Sequence, residues 1–414
     1  MRQSIERCRC FGMRILFALL FSTASASAQE APTSSVEERL EGLEQAIQAL
    51  QKENERLRDE LGMEGRPGIV VVKPAGREPV LSLGGLLQVQ GEAGDQGDAR
   101  FTTGKDRLYL RRTRLNAGGR FLEDFDFRVE LDLSSSLGEA SGLRAQLTDG
   151  YARWNRFAAF GVRAGQFKTP FGYEQLAPDP RLFTIERSLA NDRLTLSRQV
   201  GLQLEGDVFG KRMTYAAGMF NGNGVNTNLN DNEVFLVVAR VSGVAWEGTL
   251  AGASARWTAG AGAFGSEDAA ISGQPPEFGF GSRLAAPRDN IFAGERTGWG
   301  LDTQLRLGRL DLWLEYLHER FDQTNGTPSR RVEAQGGYVQ LAGFVVEKRL
   351  QLVAKFDGFD PRREAANSSR NWLAGANYYI KSDDLKVQLN YIRTDEAASD
   401  TGEDRVLGRL QVIF

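Results

Sequence analysis

The sequence contains almost no cysteine and almost no histidine. Cys8 and Cys10 both lie within the first ten of 414 residues, and His318 is the one histidine. Structural zinc sites need several Cys or His ligands, and a disulfide framework needs paired cysteines. The chain beyond residue 10 can therefore form neither a disulfide nor a cysteine-based metal centre, and we expect no metal and no cofactor.

Groups that could perform catalysis are equally scarce. Nucleophilic catalysis needs a Ser or Thr beside a base. His318 lies near Glu315 and Glu319 at the end of a predicted strand, a position typical of an ordinary surface histidine. No glycine-rich phosphate loop precedes a predicted helix. The sequence therefore predicts a protein that is not an enzyme.

The apolar run near the start of the chain is too short to cross a bilayer as a helix. It extends from Ile15 to Phe21, follows four arginines and precedes Ala26-Ser27-Ala28, which is the layout of a secretory signal. We expect residues 1–28 to be removed. The removed piece carries four Arg and one Glu, so the net charge falls from −3 to −6. No basic excess remains to indicate a nucleic-acid partner.

The next segment, residues 29–62, has the heptad spacing of a coiled coil. Apolar residues and one Asn recur at alternating intervals of four and three residues. The predicted oligomerisation positions are Leu40, Leu43, Ile47, Leu50, Asn54 and Leu57. The same spacing occurs in helices that pack on their own domain, but charged and amide side chains fill most other positions and favour the periplasmic coiled coil. Residues 63–80 are rich in Gly and Pro and form a predicted linker.

From residue 81 to 414 the pattern changes to a period of two, which is typical of strands with one covered face. In the clearest case, Phe125, Phe127 and Val129 alternate with charged residues at 126, 128 and 130. About sixteen such strands follow one another. Their connections alternate between tight turns, near positions such as Gly119, Asn155, Gly210 and Trp246, and long loops, as in outer-membrane barrels.

A soluble β-protein can show the same alternation, so barrel width decides between the two. About sixteen strands enclose a space too wide for side chains to fill, which leaves a channel. Charged residues can then face water inside while apolar ones face lipid, and closure removes the unpaired edges that hydrocarbon does not tolerate. The prediction is an all-β transmembrane antiparallel barrel over residues 81–414 in the bacterial outer membrane.

One connection in this barrel is unusually long. Residues 169–197 separate two strands, contain several prolines and arginines, and have no strand pattern of their own. Ordered loops of this length are often functional. We interpret this one as a loop that folds into the barrel and narrows the channel.

Seven motifs in the barrel resemble those of the phosphate-selective porin O and porin P family. They are RRTRL at 111–115, GQFKTPFG at 165–172, FTIERS at 183–188, SRQVG at 197–201, FNGNG at 220–224, NYY at 377–379 and RLQVIF at 409–414. The resemblance implies a sixteen-stranded homotrimeric porin whose third external loop folds inward. The alternating last strand ending at Phe414 is similar to the signal that the barrel-assembly machinery reads.

The charges indicate which solutes could pass. Nine of the 51 basic residues are Lys and 42 are Arg, which binds phosphate through a planar fork. Strand parity places several arginines on the polar face, and favours Arg112 and Arg114 over Arg111. The candidate pore residues are Lys168, Arg181, Arg187, Arg198, Arg112, Arg114, Arg163, Arg240 and Arg306. A ring of such residues predicts passive diffusion of small anions, phosphate among them.

The sequence is also compatible with two alternatives. Inward arginines could instead pair with wall carboxylates such as Asp126, Glu130 and Asp302, giving a non-selective or cation-preferring porin. The barrel could also serve as an anchor in the membrane lipid, with the coiled coil as a periplasmic tether or spacer.

Overall fold

The computed structural model describes residues 45, 70–72, 80–95, 106–134, 145–228, 230, 232–268, 294–323, 330–361, 368–396 and 402–414. The chain divides into two units, Met1–Leu57 and Arg58–Phe414, and the described strands lie in the second. The predicted signal, the coiled-coil positions and most of the linker lie outside the described residues.

Seventeen strands make up the described sheet. They are β1 Val70–Val72, β2 Val80–Gly94, β3 Arg107–Phe121, β4 Phe125–Asp132, β5 Gln146–Phe157, β6 Phe160–Lys168, β7 Arg198–Val208, β8 Met213–Phe220, β9 Leu236–Leu250, β10 Ala253–Asp268, β11 Gly294–Leu307, β12 Leu310–Gln323, β13 Arg330–Val346, β14 Leu350–Asp360, β15 Ser369–Lys381, β16 Leu385–Glu396 and β17 Glu403–Ile413.

Sixteen of these strands, β2 to β17, close into one antiparallel barrel. Each strand pairs with the next in sequence, and β17 pairs with β2 from Arg405↔Gly94 to Ile413↔Leu86. The short β1 pairs with Leu81–Leu83 of β2, beyond the part that β17 covers. The predicted barrel of about sixteen strands is therefore confirmed.

The two faces of the barrel differ in polarity as the sequence alternation predicts. In β16, Val387, Leu389 and Tyr391 are about half exposed on the outer face, whereas Lys386 and Gln388 are buried inside. Apolar residues can face lipid outside because the polar residues between them face the interior. None of the described helices is long and apolar enough to cross a membrane.

The short turns lie at one end of the barrel, but three differ from the predicted positions. Those near Gly210, Gly308, Glu347 and Ser382-Asp383 occur as expected, whereas Gly119, Asn155 and Trp246 lie inside β3, β5 and β9. The prediction at Gly119 was wrong because glycine did not end the strand. Gly119 pairs with Phe127, and the turn follows at 122–124.

Residues 169–197, here called the inner loop, run inside the barrel. The loop contains helix α1 (Tyr173–Leu176), a 3-10 turn (Asp179–Arg181) and helix α2 (Leu189–Leu194). Its ends are held together because the backbone and hydroxyl of Thr169 both donate to the Ser197 carbonyl, at 3.0 and 3.1 Å.

The hydrophobic core lies between the inner loop and the barrel wall. Ile185 packs with Val353, Leu373 and Ile392 of the wall and is fully buried. A second cluster also joins loop and wall residues, and its members are Phe167, Phe171, Leu189, Leu194, Leu196, Phe220, Leu236, Val238, Phe264, Leu317, Phe321, Val332, Ala334 and Phe359. Each fully buried Leu, Ile or Phe contributes about 1.5–3 kcal/mol, so the loop is part of the folded core.

Candidate functional site: the inner loop and the channel beside it

Side chains of the barrel wall satisfy the backbone of the inner loop where a neighbouring strand would otherwise do so. The pairs are Lys386 Nζ to Pro180 O (2.6 Å), Gln388 Nε2 to Leu182 O (3.4 Å), Asn377 Nδ2 to Phe183 O (2.8 Å), Ile185 N to Asn390 Oδ1 (2.7 Å), Arg409 Nη1 to Ile185 O (2.5 Å) and Leu189 N to Asp357 Oδ1 (3.2 Å). Buried backbone groups need such partners, so this segment is fixed to strands β14–β17.

Two loop carboxylates form further anchors. Glu186 accepts hydrogen bonds from Arg111 at 2.9 and 3.1 Å and from Arg409 at 2.6 Å. Burial would raise the pKa of Glu186, but the Arg111, Arg409 and Arg112 guanidiniums lower it well below its usual range. Glu174 pairs with Lys355 of β14, and both side chains are buried.

The opposite side of the barrel interior contains a cavity of about 790 Å³. Its lining includes wall residues from β2 to β9, the loop residues around Pro178–Arg181, and the turn at Ser382–Asp384. It therefore extends from the inner loop towards the end that carries the short turns. The cavity lies beside the loop, because the loop itself packs against the other wall.

Basic side chains exceed acidic ones in this lining. Seven are basic: Arg114, Arg128, Arg163, Lys168, Arg181, Arg198 and Arg240. Five are acidic: Glu130, Asp149, Asp179, Asp383 and Asp384. Counted over the lining side chains alone, the difference is an excess of two positive charges.

Most of the predicted pore arginines are paired with wall carboxylates. The pairs are Arg163–Glu205 (2.8 Å), Arg198–Asp149 (2.8 Å), Arg240–Asp302 (2.6 Å) and Arg306–Asp311 (2.8 Å). Lys168 donates to the carbonyls of Gln175 and Ala177 at 2.6 and 3.3 Å. Arg306 lies near a short turn with its side chain 65% exposed, and it is not in the cavity lining.

A different arrangement surrounds Asp179 in the 3-10 turn. Its carboxylate lies 2.6 Å from Arg114, 2.6 Å from Arg187 and 3.2 Å from Arg112. Burial would raise the pKa of Asp179, but the guanidiniums of Arg112, Arg187 and Arg114 lower it well below its usual range. Three predicted pore residues thus meet at one loop carboxylate that was not among the candidates predicted from sequence.

Arg181 is the exception among the loop cations. It is exposed and lines the cavity. In the part of the chain that the structure describes, its guanidinium has no hydrogen-bond or ion-pair partner. This side chain can therefore contact a solute in the channel directly.

Arg111 faces the interior although strand parity disfavoured it. Gln88 pairs with Arg112 and Val89 with Leu110, so Arg111 is an extra residue in a β-bulge. Both neighbouring arginines then point inward. The sequence indicates this bulge, because the apolar residues on the outer face have even numbers before it (Leu108, Leu110) and odd numbers after it (Leu115).

The last residue closes the barrel seam. Phe414 exchanges backbone hydrogen bonds with Gly85 at 2.6 and 3.1 Å, and about half of its side chain is exposed. Its predicted role as an assembly signal stays a prediction.

The described geometry can be compared with known proteins. The family model for phosphate-selective porin O and P matches residues 86–414. The chain belongs to this porin family. It is thus an outer-membrane channel protein and not an enzyme, as the sequence predicted.

Individual relatives are distant. Porin O of Pseudomonas aeruginosa is 22% identical over 363 residues, which cover 82% of this chain and 80% of the relative. An anion-selective porin from Comamonas acidovorans has a TM-score of 0.57 at 13% identity, covering 81% of this chain and all of the other. The trimer form of OmpT from Vibrio cholerae has a TM-score of 0.54 at 12% identity, covering 82% of this chain and 100% of the other. The two structural matches establish the fold alone.

Proposed function

We propose that this porin lets small hydrophilic solutes diffuse passively past the inner loop and prefers small anions, phosphate among them. The observation that supports the proposal is the composition of the cavity lining, in which seven side chains are basic and five are acidic. Arg181 supplies a guanidinium whose charge no described residue neutralises. Rings of Arg and Lys of this kind select anions in other pores.

The pairing on the wall limits the strength of this preference. Arg163, Arg198 and Arg240 each face a carboxylate, so their fields are largely cancelled at the distance of a passing ion. Glu205 and Asp302, the partners of Arg163 and Arg240, lie outside the cavity lining and offset its excess of two positive charges. What remains is Arg181, whose guanidinium has no partner among the described residues. We therefore expect a modest preference for anions, which becomes smaller as the ionic strength rises.

The test is the zero-current potential of single channels in a planar bilayer under a KCl gradient. The sign expected for the wild type is that of chloride preference. Arg181→Gln should move the potential towards zero, because it removes the uncompensated guanidinium. Arg306→Gln is the matched control, since Arg306 lies outside the cavity lining, and it should leave the potential unchanged. A cation-preferring wild type would refute the proposal.

We also propose a homotrimer with the coiled coil of residues 29–62 in the periplasm, following a removed signal of residues 1–28 and preceding the linker 63–80. The trimer form of OmpT supports trimerisation by analogy of fold. Deleting residues 36–61 should weaken the trimer and keep conductance. If the deletion variant keeps conductance but the cell envelope loses integrity, the tether is favoured. A wild-type barrel that shows no conductance would favour the tether as well.

A further inference from the structure

Asp179 lies at the point where three guanidinium groups converge. Guanidinium groups recognise carboxylate and phosphate oxygens through the same planar geometry. Arg112, Arg114 and Arg187 converge on Asp179 at 3.2, 2.6 and 2.6 Å, and the carboxylate is 5% exposed. The arrangement is that of a three-arginine oxyanion site whose ligand is part of the chain.

Each arginine of the cluster has contacts besides Asp179. Arg112 contacts neutral Gln88 at 2.8 Å, and its buried Nε has no hydrogen-bond partner among the described residues. Arg187 donates to the carbonyls of Glu174 and Ala177. Arg114 also lies 2.8 Å from Asp132 and 3.6 Å from Glu130, and Arg112 lies close enough to Glu186 to lower its pKa. Asp179 is the carboxylate that all three guanidiniums share, and without it their convergence point would have no anion.

The cluster is reachable from the channel. Asp179 and Arg114 both line the cavity, next to Pro178 and Pro180. The position of the carboxylate is also fixed independently of the arginines, because the wall holds the following segment through its backbone. A ligand attached in this way acts at a high effective concentration, in the millimolar range or above.

We propose that Asp179 is a resident carboxylate that occupies a three-arginine oxyanion site and so determines specificity by preventing the channel from retaining phosphate. Mobile anions are attracted by Arg181, yet they must displace Asp179 to bind the cluster. The pore then conducts monovalent and divalent anions without a long residence. This inference deepens the proposed function and depends on solutes passing beside the inner loop.

The test compares Asp179→Ala with Asp384→Ala in single-channel recordings of the full-length protein. Asp384 lines the same cavity and has no described guanidinium partner, so its substitution removes one negative charge and leaves the cluster whole. Inorganic phosphate added to KCl should block chloride current in Asp179→Ala at a concentration at least about tenfold below that in the wild type. Asp384→Ala should change the blocking concentration by less than twofold.

Two further variants control for the charge and for the volume of residue 179. Asp179→Glu keeps a carboxylate and should behave as the wild type. If Asp179→Ala does not fold, as judged by heat-dependent gel mobility, Asp179→Asn keeps the volume and should show the same increase in phosphate block. Equal block in the Asp179 and Asp384 variants would overturn the inference. The KCl potential, measured on the same channels, tests the anion preference separately.

Discussion

Arg409 Nη2 lies 2.6 Å from Glu186 Oε1, which joins the last strand of the barrel to the inner loop. Both side chains are at least 95% buried. The same carboxylate accepts two hydrogen bonds from Arg111 on β3. One loop residue thus connects the two strands on either side of β2, close to the barrel seam.

Replacing Glu186 should destabilise the barrel strongly. Glu186→Gln leaves Arg111 and Arg409 without their buried counter-charge, and breaking such pairs lowers the free energy of unfolding by about 3–5 kcal/mol. Denaturant unfolding in detergent micelles, followed by gel mobility, measures the effect. The control is Glu347→Gln, which breaks an exposed pair with Arg309 and should change the free energy by about 1 kcal/mol or less. Equal losses in the two variants would contradict the anchoring role.

The contribution of Glu186 should disappear only in acid. Its pKa is lowered in the folded protein from an ordinary value of 4.5, so the carboxylate binds protons less readily in the folded state than in the unfolded chain. Its stabilisation is complete above that value and is lost as the pH falls below about 4. The difference in unfolding midpoint between wild type and Glu186→Gln should be constant from pH 8 to pH 6 and should shrink below pH 4. A difference that vanishes near neutral pH would show that another group controls it.

The seam between β2 and β17 should be sensitive to the size of residue 85. A Cβ on Gly85 would lie 2.5 Å from Phe414 Cζ and 3.2 Å from the Arg114 carbonyl oxygen. Gly85→Val should therefore displace the terminal ring and reduce the folded fraction in vesicles by at least about half, given a cost of 1–3 kcal/mol for overpacking. Gly91→Ala is the control, because its added Cβ would have no atom closer than 3.6 Å. A similar folded fraction for both variants would mean that the ring is free to move.

Part of the candidate site could be found from sequence because it depends on local periodicity. Arg163 and Arg240 lie inside the barrel as their strand parity predicted, and the length and prolines of residues 169–197 predicted the inner loop. Parity fails where a bulge adds a residue, as at Arg111. Asp179 was overlooked because nothing in the sequence around it shows that three guanidiniums converge there from β3 and from the loop itself.

The sequence by itself determined the period of two, the number of strands and the order of long and short connections, because these follow from each residue's immediate neighbours and from the two-sided environment of a strand. Only the tertiary structure decided which charged side chains form ion pairs and which have no partner. Arg240 meets Asp302 and Arg409 meets Glu186 across 62 and 223 positions of sequence. Such pairs arise from barrel closure and loop packing, and a long-range contact between charges leaves no periodic trace in the chain.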